Sequence, residues 1–490
     1  MQLVGEPGYH SRMSKQTLLA GVLALTLLHP PVSYADLPDL GEVSDASLTL
    51  ADENRIGRQA WRAMLEAGDI VDDQEVNDYL NDIGGRLSSG VKLPGVAFTY
   101  FCVNDRGINA FAMPGGYIGI NIGLLLATQS EGELASVLGH ETAHVAQRHI
   151  ARMKAASSAT SPLLLLGTII AAALAAKAGS GQGAMGVVSA GMGLSISNQL
   201  AFSRDFEREA DRVGMQYMSQ AGFDVRSMPA FFQRLQQNER YSDNAALAFL
   251  RTHPVTVERI SEAENRALDY PVKMRADSSD YLLVREKLRA SVMTPDEGLR
   301  FYEAALDRGL YLNEGAQWYG LAQVKLRQRD IAGARQALAK ARNKLPDHPM
   351  LHGLEVAIER ERKDWPAARK AVRAGLDRFP RSQSLQLLDI DIAIASGDNQ
   401  GALSLIKSRL SQRPDDPALY RRQAGLYVDR DPLRYHAALG NAFYYEQRYQ
   451  PAMEQFQLAS KAKGDDFYLR SSIEARIREL DRRVREEKKK

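Results

Sequence analysis

The sequence predicts two folded parts in one chain: an α+β domain, mostly helical with a small sheet, followed by an all-α solenoid. Three observations predict this. Strand-like runs bounded by Gly, Pro and Asp lie before about residue 270. A capped helical stretch in the same part carries two histidines four residues apart. Beyond about residue 295 the strand signals stop, and proline and alanine recur every 34 residues.

At 490 residues the chain is too long for one ordinary core. A composition 44% hydrophobic and 25% charged excludes general disorder and a collagen-like repeat. The net charge of +2 gives no whole-protein attraction for nucleic acid, so no nucleic-acid partner is expected. The lone cysteine, Cys102, excludes a disulfide framework, a cysteine-rich zinc finger and an iron–sulfur cluster. Any metal must therefore be held by carboxylates and by some of the nine histidines.

Residues 1–35 read as a signal peptide. Arg12 and Lys15 precede the apolar run 18–28, and Ser33 and Ala35 stand at small-residue spacing before Asp36. Met13 is an alternative start. The domain expected over 36–270 contains two strand-like runs, 96–105 and 115–123. In the second, Ile118, Ile120 and Ile122 alternate with Tyr117, Gly119 and Asn121, which predicts a half-buried strand with one polar face. Such a strand could offer its edge to an extended peptide, or could be a plain core strand.

The segment 130–152 opens with Ser130 and Glu133 in capping-box spacing and continues with apolar helical periodicity. Within it lies His140-Glu141-Thr142-Ala143-His144. Positions four apart share a helix face, so both imidazoles can reach one ion, with Glu141 turned by about 100° to stand beside it as a base. Zinc suits imidazole and carboxylate ligands with a position left for water. His149, five residues on, falls about 140° off the ligand face and is set aside. A third ligand is expected from the acidic helix 203–220. There Glu207 and Asp211 face together and Glu209 points nearly opposite, although a solvated acidic face has the same spacing. On the ligand reading, Glu207 completes the set and Asp211 holds a ligand histidine by its other ring nitrogen.

Two residues further on carry alternatives. His253, before Pro254 in a turn, could reach the fourth metal position as a reversible brake, contact a substrate oxyanion, or be a buried turn histidine. Arg259 could steady a transition state or be tied to a nearby helix end. The apolar run 162–176 and the glycine-rich stretch after it are expected to form a buried or membrane-touching hairpin over 162–190.

A linker is expected at 271–294, helical repeats at 295–475 and a basic tail at 476–490. Pro346, Pro380 and Pro414 are spaced by 34, as are Ala334, Ala368 and Ala402; a later unit around Leu439 to Ala459 is displaced from this register by 16 residues. This part resembles the tetratricopeptide repeat family, with an irregular half-unit at 415–432, and implies a curved surface that recruits proteins.

The HETAH run, the Glu207…Asp211 pair, NAFAMPGG (109–116) and THPVTVERI (252–260) together resemble the gluzincin metallopeptidases related to the CAAX prenyl protease and HtpX. The resemblance implies a zincin-like fold and one zinc ion on His140, His144 and Glu207. It also implies Glu141 as catalytic base and a catalytic or ligand-orienting role for Asp211. Relatives with a leader and C-terminal repeats further imply the periplasm of a Gram-negative bacterium. Their implied substrates are unfolded or misassembled outer-membrane proteins, and the implied partner is the outer-membrane β-barrel assembly machinery. The alternative is mainly a chaperone or adaptor of that machinery with a latent protease.

Overall fold

In the computed structural model, residues 48–156, 202–240, 249–250 and 252–489 are described. Helix α1 (Leu50–Ala67) starts where the Thr49 side chain accepts the Asp52 N–H and stops at Gly68 in the left-handed region, φ 80°. Helix α2 (Gln74–Ser88) is capped by Asp73, which accepts from Glu75 and Val76. A three-stranded sheet follows: β1 (Thr99–Val103), β2 (Ala110–Met113) and β3 (Tyr117–Asn121), in the order β1-β3-β2. β3 runs parallel to β1 and antiparallel to β2.

The strand at 115–123 therefore differs from expectation in two ways. It is central, with both edges paired, so it offers no edge to a peptide; β2 is the edge strand packed beside the histidine-bearing helix. It also has no exposed polar face, since every residue of β3 but Tyr117 is buried. The reason is that both faces of the sheet are covered. Tyr100, Cys102, Ala110, Ala112, Ile118 and Ile120 pack towards α2 and the helix 131–146, in one cluster with Leu80, Ile83, Leu134 and Leu138. Phe101, Val103, Phe111 and Met113 pack instead against Ile56, Ala60 and Met64 of α1. Close seating of α1 on the Pro114–Gly116 turn needs Gly57, because a Cβ there would lie 1.7 Å from the Pro114 carbonyl oxygen.

Short α3 (Ile122–Ala127) leads into α4 (Glu131–Ala146) and α5 (His149–Ala156). After the undescribed stretch come α6 (Arg204–Gln220), α7 (Ser227–Arg240), α8 (Val257–Ala267) and α9 (Ser279–Val292). Helix α9 corrects the expected linker at 271–294: Tyr281, Leu283 and Val284 are fully buried, and they belong to one hydrophobic cluster with Val76 and Leu80 of α2. Its charges are tied in as well, with Lys287 Nζ 2.6 Å from Glu75 Oε2.

The remainder is all-helical: α10 (Pro295–Arg308), α11 (Glu314–Arg327), α12 (Ile331–Lys344), α13 (Pro349–Glu361), α14 (Trp365–Arg378), α15 (Gln383–Ala395), α16 (Asn399–Leu410), α17 (Pro417–Tyr427), α18 (Pro432–Tyr445), α19 (Tyr449–Lys461) and α20 (Phe467–Lys489). The 34-residue period has a local cause. Arg329, Lys363 and Gly397 turn the chain at positive φ, and the following Asp330, Asp364 and Asp398 cap the next helix by accepting from Gly333, Ala367 and Gly401. One turn later Ala334, Ala368 and Ala402 are fully buried, as small residues must be where paired helices touch. The odd helix α17 occupies the place of the irregular half-unit. Helix α20 runs unbroken through residue 476, with Leu480 fully buried, so the basic tail begins as part of a packed helix.

The repeats and the first domain share the large hydrophobic cluster, which includes Leu321, Leu338 and Leu354 beside Leu80 and Leu283. Arg448 Nη2 also reaches Glu66 Oε1 of α1 at 2.7 Å. Among the described residues no helix is long and apolar enough to cross a membrane. The expected signal peptide and the 162–190 hairpin lie outside the described residues.

Candidate active site

Two helices carry the site, and glycine lets them meet. Ser130 caps α4 by accepting the Glu133 N–H at 3.2 Å. The Glu133 carboxylate takes the Gln129 N–H rather than that of Ser130 and pairs with Arg234, so the capping box is shifted by one residue. Further along, α4 crosses α6 at Gly139 and Gly214; a Cβ on Gly214 would stand 3.0 Å from both the Gly139 carbonyl carbon and the His140 nitrogen. This closeness brings Glu207 and Asp211 of α6 to His140 and His144 of α4.

The distances then define a site. His140 Nε2 lies 3.0 Å from His144 Nε2 and 3.5 Å from Glu207 Oε2, and His144 Nε2 lies 3.3 Å from Glu207 Oε1. His253 joins from the turn before α8, its Nδ1 3.3 Å from His140 Nε2 and 3.1 Å from Glu207 Oε1. These four residues make a group whose ligand atoms all lie within 4.8 Å of one another. A tetrahedral ion with bonds of about 2.0–2.1 Å has ligand–ligand edges of about 3.3 Å, so the set fits zinc in spacing and in donor type. Three imidazole nitrogens and a carboxylate converge on one point, a donor set that a single cation would satisfy together.

Burial and charge shape the members differently. His140, Glu141, His144, Glu207 and His253 are each at most 2% exposed. Burial pulls His144 far below the ordinary histidine range, whereas Glu207 and Asp211 outweigh the same burial at His140 and hold it up at about 10. Burial opposes ionisation of Glu207, yet His253 and His140 keep it well below the usual carboxylate range. Burial raises Glu141; neither of its carboxylate oxygens has a hydrogen-bond partner among the described residues, and His253 Nε2 stands 3.4 Å from Oε1. A buried carboxylate beside the convergent donors, with the His253 ring as its near neighbour, has the placement of a general base.

Asp211 and Arg259 tie this cluster together. Asp211 Oδ1 accepts from His140 Nδ1 at 2.9 Å, which leaves Nε2 of His140 free to bind. Arg259 is engaged by the acidic side chains of α6. Its Nε and Nη2 each donate to Asp211 at 2.8 Å, and Nη1 meets Glu207 Oε2 at 2.7 Å and donates to the Pro254 carbonyl at 2.8 Å. The guanidinium is thus committed to the two carboxylates of α6 and to the turn that carries His253.

Sequence reasoning set aside His149 and Glu209, and the structure brings both in. The helix breaks after Ala146, with Arg148 at φ 51°, and His149 Nδ1 returns to 2.8 Å from His144 Nδ1. Glu209 Oε2 stands 3.3 Å from His149 Nε2. The helical-wheel angle that excluded His149 holds only while the helix continues, and no Gly or Pro marks the break. Phe202, also missed, stacks on His144 with centroids 3.9 Å apart.

Comparison with known proteins agrees with this geometry. The sequence profile of peptidase family M48 matches residues 74–267. A putative beta-barrel assembly-enhancing protease of Vibrio cholerae is 35% identical over 344 residues, covering 68% of this chain and 69% of that protein. The chain belongs to peptidase family M48. A second relative, the beta-barrel assembly-enhancing protease of Yersinia pestis, is 28% identical over 422 residues, 84% of this chain and 79% of its own. The mitochondrial metalloendopeptidase OMA1 of Schizosaccharomyces pombe is 30% identical over 245 residues, 49% of this chain and 68% of its own. The M48 match spans α2 to α8 and so contains every residue of the convergent cluster. As an M48 member the chain is a metallopeptidase, and its repeats lie outside the matched segment.

Proposed function

We propose that the chain is a zinc-dependent endopeptidase of the Gram-negative periplasm. In this reading it degrades unfolded or misassembled outer-membrane proteins and assists β-barrel assembly. The helical repeats recruit partners, among them the β-barrel assembly machinery. The observation that carries the chemistry is the convergence of His140, His144 and Glu207 beside the buried Glu141 carboxylate. The names of the Vibrio and Yersinia relatives support the place in barrel assembly.

His140, His144 and Glu207 would hold the metal. Bound there, zinc would supply Lewis-acid polarisation of a peptide carbonyl and acidify water. Glu141 then takes a proton on its carboxylate and returns it to the leaving amine. Asp211 keeps the Nδ1 proton of His140 in place, and Arg259 keeps Asp211 and Glu207 oriented. Among the described residues no strand pairs with the outer edge of β2, beside α4, and an extended substrate strand would add there. The test is zinc per purified full-length chain together with cleavage of an unfolded outer-membrane protein. One zinc per chain is expected, along with cleavage that Glu141→Gln abolishes while metal is retained. Cleavage by Glu141→Gln at the wild-type rate, or a wild type without stoichiometric zinc, overturns the reading.

The second reading, a chaperone or adaptor with a latent protease, is favoured by one feature. His253 Nδ1 already stands among the ligand atoms, where water would have to enter, and the whole set is closed from solvent. His253 is then a reversible brake. His253→Ala raises peptidase activity on this account; total loss of activity overturns it.

A further inference from the structure

We infer that His149 is a positioning residue of the metal centre, fixing the tautomer and ring angle of His144, with Glu209 as its anchor. The inference rests on the reading of His140, His144 and Glu207 as metal ligands.

The proton positions follow from the contacts. His144 turns Nε2 towards Glu207 Oε1 at 3.3 Å and His140 Nε2 at 3.0 Å, so its lone pair must lie there if it is to bind a metal. A neutral imidazole carries one proton, which then sits on Nδ1. The atom facing it at 2.8 Å is Nδ1 of His149, which must accept and so must be unprotonated. His149 in turn carries its proton on Nε2, aimed at Glu209 Oε2 at 3.3 Å. Arg152 Nη1 holds the same oxygen at 2.9 Å. The hydrogen bonds run one way, from His144 to His149 to Glu209, and only one tautomer of each ring satisfies them.

The rings are also clamped. His149 is fully buried and lies against Phe206, centroids 4.6 Å apart and planes 18° apart; His144 lies in the same manner against Phe202, at 3.9 Å and 19°. The break at Arg148 that delivers His149 is itself held down, since Arg148 Nε pairs with Glu53 at 3.2 Å and Nη2 donates to the Leu48 carbonyl at 2.7 Å. The two histidine ligands are therefore oriented by different groups. His140 has a buried carboxylate, Asp211, locked by Arg259, whereas His144 has a neutral imidazole backed by a carboxylate 24% exposed at its side chain.

The test uses the full-length chain and two readouts other than turnover. One is the zinc dissociation constant by competition with a chromophoric chelator; the other is the visible spectrum of the cobalt(II)-substituted protein. His149→Ala is expected to weaken zinc at least fivefold, towards the ten- to hundredfold range typical of lost ligand-orienting partners, and to shift the cobalt bands. His149→Asn, whose Oδ1 can accept near the position of Nδ1, recovers most of the affinity. Glu209→Ala weakens zinc in the same direction and keeps the test decisive if His149→Ala does not fold. Affinity within fivefold of wild type in folded His149→Ala with an unchanged cobalt spectrum overturns the inference, as does an Asn variant no better than Ala. A wild type that binds neither metal stoichiometrically sinks the ligand reading as well, which separates the two failures.

Discussion

Replacing Gly214 by alanine measures how far the proposed metal site depends on two helices being close. The added Cβ would stand 3.0 Å from the Gly139 carbonyl carbon and the His140 nitrogen, and 3.1 Å from the Gly139 oxygen. Comfortable contacts of this kind lie near 3.5–4.0 Å, so α4 and α6 must part by roughly 0.5 Å. Two effects oppose each other. Alanine favours a helix over glycine by about 1 kcal/mol, whereas overpacking of a tight contact costs about 1–3 kcal/mol. The net change in stability is therefore small, between about zero and 2 kcal/mol of loss. The metal site is the sharper readout, because the displaced atom is the backbone nitrogen of His140 and Glu207 lies two turns along the moving helix. Zinc affinity, measured by chelator competition, is expected to fall by about tenfold or more, by analogy with lost ligand-orienting contacts. Gly85→Ala in α2 is the control: a Cβ there meets nothing within 4 Å, so that variant gains up to about 1 kcal/mol and leaves zinc unaffected. A Gly214→Ala protein that is stabilised like the control, with zinc affinity unchanged, would refute the reasoning.

Two further outcomes are expected. Stripping the metal with a chelator should lower the melting temperature, and zinc should restore it, because ligand at a thousand times its dissociation constant contributes about 4 kcal/mol; identical melts with chelator and with excess zinc count against the assignment. Asp69 has a carboxylate oxygen without a partner among the described residues, and burial, helped by Asp105, pushes its pKa up to about 6. The unfolded chain ionises this group near 3.8, so it lowers stability as pH rises from about 4 to 6 and holds that loss above. Asp69→Asn should therefore gain about 1–2 kcal/mol at pH 8, with allowance for partial solvation, and nothing below pH 4; equal gains at both pH values in urea titrations would exclude this cause.

What the sequence by itself determined are the relations that live inside one unbroken element. His140 and His144, and Glu207 and Asp211, share a face because a helix repeats every 3.6 residues, and that geometry needs no tertiary information. The 34-residue period was legible for the same reason. It rests on a positive-φ turn, an aspartate cap and a buried alanine within about five residues of one another. The resemblance to the gluzincins likewise lay in short local runs, and it pointed to the family that the M48 match shows. Tertiary structure decided the relations between elements. Alternation in 117–121 suggested one open face, but α1 and the pair α2 and α4 cover both, and β1 and β2 take both edges. The stretch 271–294 read as a linker because α9 has a weak periodicity; it is buried on several sides, and a helix covered all round has no amphipathic stripe to read. Arg259 could be assigned to the α6 carboxylates, and His149 to His144, only once the helix break at Arg148 and the crossing at Gly139 and Gly214 were in place. Spacing along a helix is set by covalent geometry, whereas which side chains meet across the site depends on how closely two backbones approach.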